Sequence, residues 1–301
     1  MTYEPVVTVV IPTYNQADYL AEAIDSVLDQ DYPRLELVVV DDGSTDDTPA
    51  IISGYGDRIV AIRQPNQGTA PALNRGIQSA TGELICWLSS DDAFVAGKIR
   101  RQVEVFAADP GLGVCFTGYE TIDAAGALVT QYPDLDPIHP DLFVAVFWRN
   151  PLNGSTAMIP REVLQAVGPF NAELRADPDG EMWLRVLSTY RARHVPGIFV
   201  RYRVHGAAMS ANKTLVRASK TAVRLARLRD GSLVAHLRAA APPSAAAALA
   251  QMSLDFNRKS MPWLARSLLF ASLRQGLAPR LQWPAALEVF RIARRRSRLP
   301  S

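Results

Sequence analysis

Through the first third of the chain, short apolar runs alternate with amphipathic stretches. Residues 6–11 (VVTVVI), 35–40 (LELVVV) and 84–88 (LICWL) have the length and bulk of buried strands, and 58–63 reads as a further short one. Between them the period turns helical. In 18–30, Leu20, Ile24, Val27 and Leu28 share one stripe, and 70–80 gives a second helix. Strand and helix in alternation predict an α/β domain with a parallel sheet. Beyond it, 97–107 reads as a helix with Ile99, Val103 and Phe106 inward, 161–167 as another, and 112–117, 127–131 and 197–200 as strands. Residues 132–140 hold Pro133, Pro137 and Pro140 and read as a loop. From Leu215 onward Ala, Leu and Arg dominate, and prolines cut the pattern into short helices. The expected division is a domain over 1–212 and a basic helical region over 213–301.

Charge changes this picture. The chain has 32 Lys and Arg against 30 Asp and Glu, but from Leu215 onward the numbers are 16 against 3, which leaves 16 against 27 before it. Two regions of opposite sign imply different partners. The basic amphipathic stretches 221–229 and 290–299, with Trp263 and Trp283 nearby, suit an anionic membrane surface. A solvated helical appendage or a homodimer contact fits the same pattern. No nucleic-acid-binding motif accompanies the charge, so nucleic acid is not expected. Cys86 and Cys115 are the two cysteines, and both sit in apolar runs. This predicts buried free thiols in a reducing compartment and argues against a disulfide framework or a cysteine metal site. The first residues lack the basic and apolar regions of a signal peptide, and no run reaches the roughly 20 apolar residues of a membrane span. The expectation is a cytoplasmic protein, peripheral at the inner face of the membrane.

The candidate chemistry lies where strands end. The run 84–88 stops at Ser89-Ser90-Asp91-Asp92, and 35–40 stops at Asp41-Asp42-Gly43. Open α/β sheets bind ligands at such rims. Adjacent carboxylates repel unless hydrogen bonds or a cation offset them, and a divalent ion holding a phosphate is a natural partner. For an Asp-Asp taken alone, a solvated turn with Asp as helix N-cap is the favoured account. A dinucleotide fingerprint and a P-loop are both missing, which argues against a Walker-type ATPase.

Four blocks in order resemble the family 2 glycosyltransferases of GT-A fold: VVIPTYN at 9–15, VVVDDGSTDDT at 38–48, NQGTAPALNRGI at 66–77 and LICWLSSDD at 84–92. The resemblance covers about the first two-thirds of the chain. It implies a Rossmann-like mixed sheet flanked by helices, with a C-terminal helical appendage. It also implies a nucleotide-sugar donor, with UDP-sugar favoured, Mn2+ or Mg2+, and transfer with inversion to a carbohydrate or lipid-linked acceptor. Cell-surface polysaccharide or glycolipid synthesis is the setting it suggests. By the same resemblance Pro12, Thr13, Tyr14 and Asn15 line the donor, with Thr13 at the base. Asp42 accepts from the base imide, Asp41 serves the ribose side or shapes the loop, and Asn74 belongs to the donor site. In Ser90-Asp91-Asp92, Asp91 faces the ribose and Asp92 binds the metal. Leu73 stands where relatives often carry Arg.

Two further stretches carry the resemblance. In Asp177-Pro178-Asp179-Gly180-Glu181, the register of Trp183-Leu184-Arg185 makes Asp179 the catalytic base, and Pro178 stands where relatives have Glu. An acidic helix start is the simpler reading, and it is compatible. Tyr202-Arg203-Val204-His205 resembles a closing element of the family's core, in which His205 approaches the diphosphate or completes the metal shell. Asp134 and Asp136 read as solvated loop acids. A non-catalytic nucleotide-sugar-binding protein of the same fold is the alternative, since fold does not fix function.

Overall fold

A computed structural model describes residues 3–135, 140–206, 212–240 and 245–258, with single positions up to 271. Asp136 and the stretch 290–299, with Trp263 and Trp283, lie outside the described residues. The chain forms two compact units, Met1–Asp136 with Pro151–Val216, and Pro137–Asn150 with Arg217–Ser301.

The first unit is built on one mixed sheet. Its first half contains β1 (Val7–Thr13), α1 (Leu20–Leu28), β2 (Leu35–Asp41), α2 (Thr48–Gly54), β3 (Val60–Arg63), α3 (Thr69–Ser79) and β4 (Leu84–Trp87). The sheet order here is β3-β2-β1-β4, all parallel, as the alternation of runs predicts. Buried on both faces, β1 and β2 read as continuous apolar runs. One helix stripe, Leu20, Ala23, Ile24 and Val27, packs against Val7, Val9, Val39 and Leu84 in a single core. On α3, Gly76 lies against the sheet; a Cβ there would stand 2.3 Å from Val10 Cγ1.

The second half adds β5 (Ala93–Phe94), α4 (Lys98–Ala108), β6 (Leu112–Ile122), β7 (Leu128–Tyr132), β8 (Ala157–Pro160), α6 (Arg161–Val167), α7 (Pro178–Leu187) and β9 (Arg191–Arg203). The sheet continues β4-β8-β6-β9-β5, with β7 hairpinned on β6. β8 runs antiparallel to both neighbours, whereas β6 and β9 are parallel. Two elements exceed the expectation. β6 runs on to Ile122, and β9 spans 13 residues where the sequence suggests four. Pro196 and Gly197, with φ 110° at the glycine, hide β9's continuity, and the β6–β9 register shifts at Thr117/Gly118.

The second unit packs α5 (Leu142–Arg149) with α8 (Lys213–Arg229), α9 (Ser232–Ala240) and α10 (Ala245–Arg258). Phe143 stacks on His236 at 4.1 Å, and Arg224 donates to Phe147 O at 2.6 Å. Asp255 receives Trp148 Nε1 at 2.9 Å and Arg149 at 2.7 Å. The apolar stretch around 143–148 therefore serves the C-terminal unit, although its position in the chain suggests the first. Among the described residues no helix is long and apolar enough to cross a membrane.

Candidate active site

The rim of the sheet gathers most of the residues that the sequence singles out. At the ends of β1 and β2 the backbone is tied together: Asp42 N donates to Thr13 O at 2.8 Å, Asn15 N to Ser44 Oγ at 2.9 Å, and Thr45 N to Asn15 Oδ1 at 2.8 Å. Asn15 takes φ 51°, a left-handed position that Asn tolerates better than most residues. Pro12 is half-buried, and Tyr14 is 45% exposed beside the rim. Gly43 is required, because a Cβ there would lie 2.9 Å from Asn66 N in a positive-φ turn.

Asp41 and Asp42 are both buried and have different surroundings. Asp42 accepts from Gln64 Nε2 (2.8 Å), Gln67 N (2.9 Å) and Gly68 N (2.7 Å), so it clamps the loop that leads into α3. Asp41 Oδ1 accepts from Ser44 N at 2.8 Å, and Arg63 Nε stands 3.4 Å from Oδ2. Asp41 Oδ2 and Thr13 Oγ1 are buried atoms without a hydrogen-bond partner. Neither atom is reached by solvent, and the Arg63 ion pair offsets the charge of Asp41. Asn74 lies apart from this group. Its Nδ2 donates to Phe170 O and its Oδ1 accepts from Phe170 N, both at 2.8 Å, fastening α3 to the 168–172 turn.

After β4, the two aspartates diverge. Asp92 is 1% exposed; its Oδ2 accepts from Ser155 Oγ at 2.7 Å and its Oδ1 from Arg203 N at 2.9 Å. Burial, and then the neighbouring Asp91, push its pKa well above the ordinary carboxylate range. Asp91 is more accessible, and its Oδ2 stands 3.0 Å from His205 Nε2. The structure thus brings His205 to Asp91, where the sequence reading pairs it with Asp92. In a tight turn, consecutive side chains point apart, and nothing in the spacing says which one faces the histidine.

Arg203 stands in the Tyr202–His205 element that the sequence singles out, but its role there could not be read from the sequence. Only 3% exposed, it donates to Asp91 O (2.9 Å), Glu22 Oε2 (2.5 Å) and the carbonyls of Asp123 and Ala124 (both 3.3 Å). Its guanidinium also lies over the Tyr19 ring at 4.7 Å, and Tyr19 packs on His205 at 5.0 Å. One arginine therefore fixes α1, the aspartate turn and the β6–β7 hairpin around His205.

Asp179 stands in the first turn of α7. A Cβ on Gly154 would lie 3.2 Å from Asp179 Oδ2 and 2.8 Å from Trp87 Nε1, so the glycine leaves room for both. Trp87 stacks on Trp183 at 5.2 Å and meets Phe170 edge-on at 5.1 Å. Ser155, which bonds Asp92, follows Gly154, so the 154–156 turn joins the aspartate turn to α7. Glu181 is engaged elsewhere. It pairs with Arg185, which in turn donates to Val167 O, Gly168 O and Pro169 O.

A hard divalent cation fits Asp91 and His205, one oxygen and one imidazole, provided that substrate phosphate and water supply the remaining positions. Among the described residues there is no cluster of three or more His, Cys, Asp or Glu able to hold an ion unaided. The imidazole favours Mn2+ over Mg2+, which prefers oxygen throughout. Cys86 and Cys115 are free and buried, as expected.

The mixed sheet, with its helices and acid-bearing rim, is the GT-A fold of glycosyltransferases. The chain belongs to glycosyl transferase family 2, whose family model matches residues 8–168. It is 35% identical over 210 residues to an uncharacterized glycosyltransferase of Rickettsia typhi, covering 68% of this chain and 66% of the relative's length. It is 32% identical over 219 residues to TuaG of Bacillus subtilis, whose name assigns it to teichuronic acid biosynthesis, covering 70% of this chain and 84% of TuaG. A mannosyltransferase from Pyrobaculum calidifontis, solved with GDP-Man and Mn2+, superimposes with a TM-score of 0.58 at 26% identity, covering 97% of this chain and 80% of that one.

Proposed function

We propose that this protein transfers a sugar from a nucleoside-diphosphate donor to an acceptor hydroxyl with inversion, assisted by a divalent cation. The observation that carries the reading is the Asp91–His205 contact, braced by buried Arg203 and joined to Asp179 through the 154–156 turn. Thr13, Asp41 and Asp42 would hold the nucleoside at the rim where β1 and β2 end. Asp91 and His205 would hold Mn2+ or Mg2+, and Asp92 would set the turn from beneath. Bound there, such an ion would supply Lewis-acid neutralisation of the diphosphate leaving group. Asp179 takes the acceptor's proton as its oxygen attacks the anomeric carbon, a single displacement that inverts configuration. Glu181 is unsuited to that role because Arg185 occupies its carboxylate.

UDP-sugars remain the favoured donors, and GDP-Man in the Pyrobaculum relative makes GDP-sugars the principal competitor. TuaG's name supports an acceptor within a growing surface polysaccharide. The working location is the inner face of the membrane, through the basic C-terminal region. The test is donor hydrolysis and thermal shift across UDP-, GDP- and dTDP-sugars, with and without Mn2+. Metal-dependent stabilisation together with slow hydrolysis of one donor is expected. Metal-dependent binding without turnover on any acceptor would point to a non-catalytic nucleotide-sugar binder instead.

A further inference from the structure

The hairpin between β6 and β7 ends in an apolar tip. Residues 124–132, AAGALVTQY, contain no charged side chain, and every one of them is exposed. Leu128 and Val129, 57% and 61% exposed, are the two most exposed large apolar side chains among the described residues. Exposed Tyr132 and Val204 belong to the same arm: Val204 N donates to Ile122 O at 2.8 Å, and Ile122 pairs with Leu128. The turn itself is well tied. Asp123 Oδ1 accepts from Ala125 N and Ala127 N, both at 2.9 Å, and Gly126 takes φ 85°. Arg203 Nη1 holds the carbonyls of Asp123 and Ala124 while its Nε holds Asp91 O, so the root of the hairpin shares a brace with the aspartate turn. An apolar patch held out into solvent on a fixed support marks a contact with a protein or a membrane.

Three features favour the membrane. Successive strand side chains face opposite ways, and here all are exposed, so the tip is open on both faces. A second subunit would cover one face, whereas lipid surrounds both. The register shift at Thr121/Ile122 bends the strand, and such bulges turn an edge away from pairing with another chain. Behind the tip, Tyr119 stacks on Tyr132 at 4.9 Å and meets Tyr202 edge-on at 6.3 Å. Tyrosine, with an apolar body and a polar hydroxyl, suits the boundary between water and lipid. The unpaired backbone groups of a hairpin tip are too costly in the hydrocarbon core, which limits insertion to the headgroup boundary. We infer that the tip at 124–129 inserts into the headgroup boundary of a lipid bilayer, with Tyr119, Tyr132 and Tyr202 at the water side. This contact is hydrophobic and lies in the first unit, so it is separate from electrostatic attachment through the basic region. It does not depend on the glycosyltransferase reading above.

The test uses the full chain and vesicles of pure phosphatidylcholine in about 1 M salt, where charge attraction is screened within about 3 Å. Cys86 and Cys115 are buried, so an environment-sensitive fluorophore on Ala125→Cys labels the tip alone. Its emission should shift to the blue on adding vesicles, and lipids spin-labelled near the headgroup should quench it more than lipids labelled at the chain end. Leu128→Asp with Val129→Asp should weaken co-sedimentation with the same vesicles about tenfold or more, which is what burial of one such side chain is worth. Both residues are exposed, so Mn2+-dependent nucleotide binding in solution should be unchanged in that variant. If the double variant does not fold, the emission of the label decides alone. An unshifted label, or undiminished co-sedimentation of the folded double variant, would overturn the inference. A blue shift that appears without vesicles, rising with protein concentration alongside a doubled mass in sedimentation, would also overturn it and assign the tip to a second copy of this chain.

Discussion

At the scale of single residues, the two acids of α7 stand in different surroundings. Glu181 is held by Arg185, and Asp179 stands in the first turn of the helix beside Gly154. Asp179→Asn should cut turnover about 10²–10⁴-fold with donor affinity nearly unchanged. Glu181→Gln should leave turnover close to normal and lower stability by about 1.5–3 kcal/mol, as expected for losing a charged hydrogen-bond partner. Steady-state kinetics and urea unfolding of the pair check both halves, and a dead Glu181→Gln enzyme would reverse the assignment. Arg203→Met should reduce Mn2+-dependent nucleotide affinity at least tenfold, because the Asp91–His205 contact loses its brace; calorimetric titration reads this directly. The acids at strand ends were legible in the sequence because a polar pair after an apolar run is conspicuous. Which of Asp91 and Asp92 meets His205 was not, since a turn has no period from which to read direction. Arg203 was illegible for another reason. Its partner Glu22 lies 181 residues away, and the Asp91 carbonyl 112 away, distances that no local pattern spans.

At the scale of elements, β1 and β2 were readable because strands buried on both faces are continuous apolar runs. β9 was readable only around 197–200. Its alternation of Arg with apolar residues is broken by Pro196-Gly197, and its length becomes evident only against β6. The close packing of α3 on β1 gives a direct test. Gly76→Ala would press a methyl into Val10 and should cost about 1–3 kcal/mol, measured as a shift in the urea midpoint at constant slope. α4 offers a pH test. Lys98 is fully buried, donates to Gln102 Oε1 at 2.7 Å and lies over the Phe94 ring at 4.2 Å. Burial lowers its pKa below that of an unfolded lysine. In the window between the folded and unfolded values the unfolded chain binds the extra proton, so this residue's contribution to stability rises with pH up to about 10.4. The stability difference between wild type and Lys98→Met should therefore move in favour of wild type as pH increases from neutral. A pH-independent difference would mean that Lys98 is equally protonated in both states.

At the scale of the whole molecule, the chain forms two compact units, and the excess of Lys and Arg counted from Leu215 onward lies in the second. The short helix α5 belongs to that second unit, where Phe143 and Phe147 stand against α9 and α10; its apolar run carries no mark of which unit it joins. Deleting the residues after 216 would uncover that helix, so charge reversal is the better probe of membrane attachment. On α8, Arg217 and Arg229 are exposed. Arg217→Glu with Arg229→Glu should weaken co-sedimentation with anionic vesicles, and wild-type binding should fall as salt rises. Binding that is indifferent to both would locate attachment elsewhere. The central claim is that Asp91 and His205 together hold the metal that holds the donor. It is tested most directly by calorimetric titration of UDP and GDP into wild type, Asp91→Asn and His205→Ala, with Mn2+ and with EDTA. The account predicts tight nucleotide binding only in wild type with Mn2+, weakened at least tenfold in either variant. Equal affinity with EDTA, or full Mn2+-dependent affinity in folded Asp91→Asn, would contradict it.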